Sequence, residues 1–379
     1  MEFVIEKKEL SALTTAVYRA ASTRNTTPIL SGLLIEATFD KGLTMTATDM
    51  EIGIKASNTN VEIIEEGKVL VNAHYFADYI KLLPDSKINV NLNYERSKLN
   101  ITYGRSSGAI NIYRDYEYPD LPISNMQKFV SLPQYILREA LKKTVFASAV
   151  THFRQVFTGI LFDLKENGSL RIVASDTHRL AYYIYNLAEQ NLKPLSFVIP
   201  SRTVSELLRL LDDNKEEITI GYSQNNVFFV KKDFLLLSRI IEGQYPNYDQ
   251  VIPSSFNTTI IIQSQILEET LERARIMPTD DKLKIQHVQF SLGKDEVIIN
   301  SYSDIMGEIK EVIENVTIEG QNEQRIAFNT NYFLDVVKLL SGECEEIVIK
   351  LSSSQGPAMI LNPNKDNYLY ILVPLRTSN

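Results

Sequence analysis

Apolar and polar positions along the chain follow one pattern that occurs three times. Phe3–Ala20, Phe129–Ala147 and Thr259–Met277 each open with a short apolar run, break at polar residues, then continue with apolar residues three and four apart. That pattern predicts a strand followed by an amphipathic helix. The starts fall at residues 3, 129 and 259. A second marker keeps the same register: Thr48-Asp49, Ser175-Asp176 and Ser303-Asp304 each close a strand-like run. A third is a strand feeding a helix. Val69–Val71 leads to Tyr75–Leu83, Phe197–Ile199 to Val204–Leu211, and Ile326–Phe328 to Tyr332–Leu340. Three markers in one register predict three copies of one domain.

The period sets the type of domain. Solenoid repeats of roughly 20–50 residues cannot bury a core alone, whereas a unit of about 127 residues can. Each unit reads as strand, helix, alternating strands, second helix, alternating strands, which is an α+β domain. In the first unit Leu33–Glu36, Leu43–Thr46, Ile88–Tyr94, Leu99–Tyr103 and Ala109–Tyr113 show strand alternation. Second helices stop at Pro84-Asp85 and Ser341-Gly342, while the charged run Asp212–Glu217 reads as a solvated turn. Proline and small polar residues gather at Tyr118–Asn125 and at Tyr245–Ser255, so the domains are expected at 1–126, 127–254 and 255–379. Stiff joints predict a fixed rotation between domains, and head-to-tail repetition of that rotation closes a ring if the rotation permits. A domain of this size is roughly 36 Å across as a sphere. Three in a triangle leave a hole of about 6 Å, and six in a hexagon leave about 36 Å. DNA is about 20 Å wide, so two chains are needed to surround a duplex.

Composition narrows the class. No run approaches the roughly 20 apolar residues of a membrane helix. Met1 is followed by Glu2 and a strand, unlike a signal peptide. Cys344 is the single cysteine, which excludes an intramolecular disulfide and a thiolate zinc site and favours a reducing, cytoplasmic setting. The net charge of −8 argues weakly against nucleic acid, yet the field at the contact surface decides, not the sum.

Catalytic signals are thin. His74, His152, His178 and His287 lack metal-ligand spacing, and no P-loop, GxGxxG or GxSxG motif occurs. Asp49, Asp176 and Asp304 fall at equivalent places in separate domains and cannot share one ion. Each reads as a strand-end aspartate bonding the turn that follows. Basic residues say more. Arg138 and Lys142 are one helical turn apart, with Lys143 beside them, and Arg202 and Arg209 are two turns apart. Lys81, Arg273, Arg275 and Lys338 also fall on predicted helices, and Arg24 follows the first. Such faces are either solvated or track phosphates without reading bases. The apolar run Tyr368–Arg376 reads as a last strand with Pro374 at its exit.

Seven stretches in order then resemble the bacterial β sliding clamp family, the DNA polymerase III β subunit. They are Arg24–Leu30, Thr46–Glu51, Tyr118–Leu121, Val173–Leu180, Ile241–Pro253, Phe328–Leu340 and Tyr370–Arg376. The resemblance covers essentially the whole chain. It implies three repeated clamp domains, each two helices packed on antiparallel sheets. It also implies a head-to-tail homodimer ring of six domains. Such a ring is a non-catalytic processivity factor that encircles duplex DNA. Short peptide motifs of polymerase, clamp loader and repair proteins enter a cleft in it. By motif the cleft would use Phe157, Ser175, Thr177, His178, Arg179, Leu180, Pro246 and Val251, with Ile371, Leu372, Val373, Pro374, Leu375 and Arg376. DNA contacts would include Arg24 and Arg154, with His74 replacing a basic loop residue. Arg138, Lys142, Arg202 and Arg209 join them from the helix reading. No cofactor or metal is implied. Thr177 stands where the family usually has glycine, Gln250 where a basic residue is frequent, and Gly108 where an interface aromatic is common. Dimer closure then falls to Ile110 with Ile276 and Met277. The tail Thr377–Asn379 extends past the family's usual end.

Three other readings compete. A second-copy clamp with restricted partners in repair shares every feature above. A scaffold of clamp shape without a DNA role shares the fold. An enzyme at a domain junction requires converging acids or histidines, and the sequence shows no such set.

Overall fold

The computed structural model describes all residues except 24–26, 115–116, 124–125, 189–192, 278–284, 304, 322 and 377–379. Among the described residues six α-helices alternate with antiparallel strands in four sheets. The helices are α1 (Lys7–Val17), α2 (Ala73–Leu82), α3 (Gln134–Thr144), α4 (Ser201–Leu210), α5 (Ser264–Ala274) and α6 (Thr330–Ser341). They fall in three pairs, in the order the repeat predicts. The second helix of each pair begins a few residues before its first apolar-periodic position. In α2 and α6 the reason is a cap. The Asn72 carboxamide oxygen accepts from the Tyr75 amide, and Asn329 accepts from the Asn331 and Tyr332 amides. Those bonds satisfy helix-start donors that lack a partner in the preceding turn. Equivalent buried threonines also recur in the first helices. Thr14 Oγ1 donates to the Leu10 carbonyl at 2.7 Å and Thr144 Oγ1 to the Ala140 carbonyl at 2.8 Å.

The chain packs as two compact units, and their limits differ from those of the repeat. The first is Met1–Arg138 with Arg202–Ile240; the second is Glu139–Ser201 with Ile241–Asn379. Strand pairing explains this. In the first unit Phe234–Arg239, from the middle repeat, pairs antiparallel with Ile52–Asn58, setting Leu236 opposite Ile54 in an eight-stranded sheet. Ile52–Asn58 and Glu62–Glu65 add two strands to those read from the sequence. A separate five-stranded sheet carries the amino terminus and ends at Ser106–Asn111. Phe3, Leu10, Val17, Ile35, Phe76 and Ile80 are fully buried in this unit.

In the second unit Arg179–Asn186 pairs with Tyr368–Leu372 at the centre of a nine-stranded sheet. A four-stranded sheet ends at Gly307–Glu314. A buried polar network ties distant segments of this unit together. Lys143 is 1% exposed, and its Nζ lies 2.7 Å from both Glu139 Oε1 and Glu343 Oε2. Lys365 reaches the same two carboxylates at 3.5 and 3.3 Å. The Tyr183 hydroxyl donates to Glu139 Oε2 at 3.1 Å, and the Asn367 amide donates to Tyr183. Lys143, read as part of a basic helix face, is therefore interior. Burial alone would raise the Glu139 pKa; the Lys143 hydrogen bond and charge, with Lys365, outweigh it and hold it below the ordinary 4.5.

Removing one partner of a buried ion cluster leaves uncompensated charge. Lys143→Met should destabilise the second unit by about 3–5 kcal/mol, read as an earlier transition in urea or heat. Glu139 has a depressed native pKa, so its contribution is complete above 4.5 and fades as pH falls through the native value. Acid titration should show that loss in the wild type and a weaker one in Lys143→Met.

Candidate functional site

An apolar cleft lies on one face of the nine-stranded sheet in the second unit. Strand alternation builds its floor. Val173, Leu180, Tyr182 and Ile371 project to one face and pack with Leu161, Val198 and Tyr248. Leu180 stands opposite Ile371 in the ladder. The cleft encloses about 190 Å³ and is lined by Phe157, Ser175, Thr177, Arg179, Leu180, Tyr245, Pro246, Tyr248, Val251, Ile371 and Val373. Nine of these are expected cleft residues; Tyr245 and Tyr248 are additions. Both belong to Ile241–Pro253, a stretch read as a stiff joint and as part of the resemblance, from which only Pro246 and Val251 were expected in the cleft; two tyrosines three apart there were the available signal.

Other expected residues do not line the cleft. Leu372, next to Ile371, is fully buried on the opposite face. His178 is exposed, does not line the cleft, and uses its backbone oxygen to accept from the Val373 amide at 2.9 Å. Leu375 leaves the cleft by donating its amide to the Ala327 carbonyl at 2.8 Å. Pro374 and Arg376 also lie outside the lining.

Hydrogen bonds hold the walls. The Tyr248 hydroxyl donates to Asp163 Oδ2 at 2.6 Å and accepts from Arg171 Nη1 at 3.3 Å. Burial, then the Asp163 bond, pushes its phenol pKa up. The Tyr245 oxygen is buried beside the Ser175 backbone, and burial outweighs that contact and raises its pKa well above the ordinary value, so the phenol stays neutral with its proton to donate. Arg179 lines the cleft but sends its guanidinium away from it. Nε bonds Asp176 at 3.0 Å, Nη1 bonds Asp335 at 2.6 Å, and Nη2 bonds the Phe146 carbonyl at 2.6 Å. It also lies 4.0 Å over the Tyr332 ring.

The cleft rim is one copy of a turn that the chain uses twice among the described residues. Asp176 Oδ1 accepts from the amides of His178 and Arg179, while Ser175 Oγ donates to the Arg179 carbonyl. Asp49 Oδ1 accepts from Glu51 and Ile52, and Thr48 Oγ1 donates to the Ile52 carbonyl. The expected role of these aspartates as turn caps matches this geometry; Asp304 lies outside the described residues. The turn forces a left-handed residue after the aspartate, with φ +77° at Thr177 and +75° at Met50.

The predicted cations divide into paired and free. In the first unit Arg202 Nη1 is hydrogen-bonded to Asp49 Oδ2, Arg209 lies 2.5 Å from Glu206, and Arg138 lies 3.8 Å from Asp213. His74 is the second residue of α2, not a loop residue, and its ring meets Tyr18 edge-on at 5.4 Å. In the second unit Arg273 pairs with Glu311, and Arg275 and Lys338 share Glu272. Lys142 is exposed with no ion pair among the described residues. Arg154 is exposed and rests 5.4 Å over the Phe157 ring. Arg24 lies outside the described residues. Of the expected dimer residues, Ile276 is 76% exposed and Met277 half-buried. Ile110 is 5% exposed because alternation turns it into the core of its own sheet, opposite Leu99. Gly108 is contacted by Tyr79, whose hydroxyl would lie 2.1 Å from any Cβ there.

Three family models cover the chain end to end. The N-terminal, central and C-terminal domains of the DNA polymerase III beta subunit match residues 1–122, 131–247 and 249–376. The beta sliding clamps of Halalkalibacterium halodurans and Bacillus subtilis are 31% and 30% identical over the full length of both chains. The chain belongs to the β sliding clamp family. It is a three-domain clamp fold of helices on antiparallel sheets, and a clamp subunit, not a catalytic one. The crystal structure of the Bacillus subtilis sliding clamp superposes with a TM-score of 0.90 at 29% identity, and the Thermotoga maritima beta subunit with 0.89 at 28%, each covering 100% of both chains.

Thr177, where the resemblance led to an expectation of glycine, holds a left-handed conformation at the cleft rim. A β-branched residue there is strained by about 1–3 kcal/mol, and glycine returns part of that in unfolded-state entropy. Thr177→Gly should stabilise the protein by about 1 kcal/mol, seen as a rise in melting temperature.

Proposed function

We propose that this protein is a DNA sliding clamp that surrounds duplex DNA as a homodimer and tethers DNA polymerase by a peptide seated in the apolar cleft. The observation carrying this reading is the succession of three clamp-domain matches, in order, along the chain. Domains at 1–126, 127–254 and 255–379 would make six in the ring. Clamp loader and repair proteins would use the same cleft, and the setting is the cytoplasm. No helix of the described residues is long and apolar enough to cross a membrane.

Two free sheet edges support dimerisation. The strand Ser106–Asn111 ends one sheet and Gly307–Glu314 ends another. Unpaired edges are templates for pairing with another chain. Arg96, Lys98 and Arg105 lie in or next to the strands at the first edge, while the second carries Glu308, Glu314 and Glu311, the last paired with Arg273, against the single Lys310. Opposite charge favours joining unlike edges of two copies, which is head-to-tail. Tyr79, beside Gly108, brings aromatic surface to the first edge, where Ile110 does not.

A closed ring is retained by topology, so weak phosphate contacts suffice and permit movement along the duplex. Lys142 and Arg154 are the exposed cations best placed to act without first breaking an ion pair. The cleft suits a short peptide with apolar side chains, since Val251 and Val373 offer apolar surface at its mouth and Tyr245 a buried donor.

Loaded on a nicked circular plasmid, the protein should stay bound through gel filtration and be lost once the plasmid is cut. Equal loss from both forms would remove the clamp reading and favour the scaffold. Val251→Asp or Val373→Asp should weaken binding of a labelled short polymerase peptide at least about tenfold, roughly 1.4 kcal/mol, without lowering the melting temperature. Fluorescence anisotropy reads that change.

A further inference from the structure

Among the described residues, three arginines of the first unit that are expected to face DNA are held by carboxylates of the same unit. Arg202 engages Asp49, Arg209 engages Glu206, and Arg138 lies near Asp213. The Asp49 pair is built from the turn itself. Oδ1 of Asp49 accepts two backbone amides, at 3.0 and 2.9 Å, and completes the turn. Its other oxygen is left to Arg202, whose Nη2 also donates to the Arg19 carbonyl at 3.3 Å. The equivalent oxygen of Asp176 holds Arg179. There the guanidinium side chain is 9% exposed, whereas that of Arg202 is 49% exposed. The same turn therefore makes a fixed structural pair at one place and a releasable pair at the other.

The surroundings favour a latch over an anion site. The polar cavity beside the pair, about 510 Å³, carries Asp49, Glu51 and Glu206 against Arg19 and Arg202, with His74. Three carboxylates against two guanidiniums give no surplus to hold a free phosphate. Exposed ion pairs are weak, and a DNA backbone is a dense row of competing charges. Breaking such a pair returns part of what a phosphate contact gives.

We infer that Asp49 is a positioning residue for DNA binding: it occupies Arg202 when no phosphate is present and so weakens the clamp's hold on the duplex. Glu206 does the same at Arg209. Both lower the friction of sliding by making each contact an exchange of partners. This rests on the reading of Arg202 and Arg209 as DNA-facing.

The test is equilibrium binding of the full-length protein to a fluorescein-labelled linear duplex at 50–200 mM salt. Asp49→Asn keeps an oxygen for the turn amides and loses the charge that holds Arg202. It should bind tighter at 50 mM and lose about 3.5-fold more affinity than wild type across that range, the effect of about one added phosphate contact. Arg202→Ala should bind more weakly with a shallower salt dependence, and adding Asp49→Asn to it should change nothing further. Glu206→Gln, outside the turn, should repeat the gain through Arg209 and decides the matter if Asp49→Asn does not fold. If Arg202→Ala weakens binding while both carboxylate variants match wild type, the latch is wrong and the DNA-facing reading survives. If Arg202→Ala itself binds like wild type, the latch falls together with that reading.

Discussion

The cleft depends on one backbone pairing. Leu180 stands opposite Ile371 only because Arg179–Asn186 and Tyr368–Leu372 share an antiparallel ladder. A slip of one residue would exchange the two faces of a strand. Leu372 and Tyr370 would then enter the cleft, while Ile371 and Val373 would leave it. Several interactions oppose such a slip. Tyr370 is buried on the far face with its hydroxyl bonded to the Tyr332 carbonyl, and Arg179 is anchored there by Asp176, Asp335 and Phe146. Hydrogen bonds on the far face of the ladder thus help fix the register that the cleft face uses.

Charge is managed locally in both units. The acidic total does not produce a bare acidic surface, because carboxylates sit beside most helix cations. Where such a pair is buried, as around Lys143, it joins distant segments and its loss leaves a charge without solvent. Where it is exposed, as at Arg202, it contributes little to stability and remains available for exchange. Burial separates the two uses of the same chemistry.

The repeated turn shows how one local solution is adapted. Aspartate caps two amides in each described copy, and the residue after it adopts positive φ. The cap demands that conformation, although neither Met50 nor Thr177 favours it. At Thr177 the strained residue forms part of the cleft rim, so the turn affects both stability and the shape presented to a partner.

The triplication, the helix pairs, the turn aspartates and the last strand were legible along the chain, since they depend on periodicity and on short-range hydrogen bonds. Full-length family membership was legible too, because motifs in order survive where overall identity is near 30%. Most of the cleft was legible through those motifs; Tyr245 and Tyr248 were not, because a joint carries no periodicity to say which side chains turn inward. Folding in three dimensions turned Leu372 and Ile110 away from the places expected of them, put Lys143 in the interior, and gave Arg202 a carboxylate partner 153 residues away. The physical reason is common to all four. Side-chain direction and charge pairing depend on the face of a sheet and on neighbours remote in sequence, and no local window contains either.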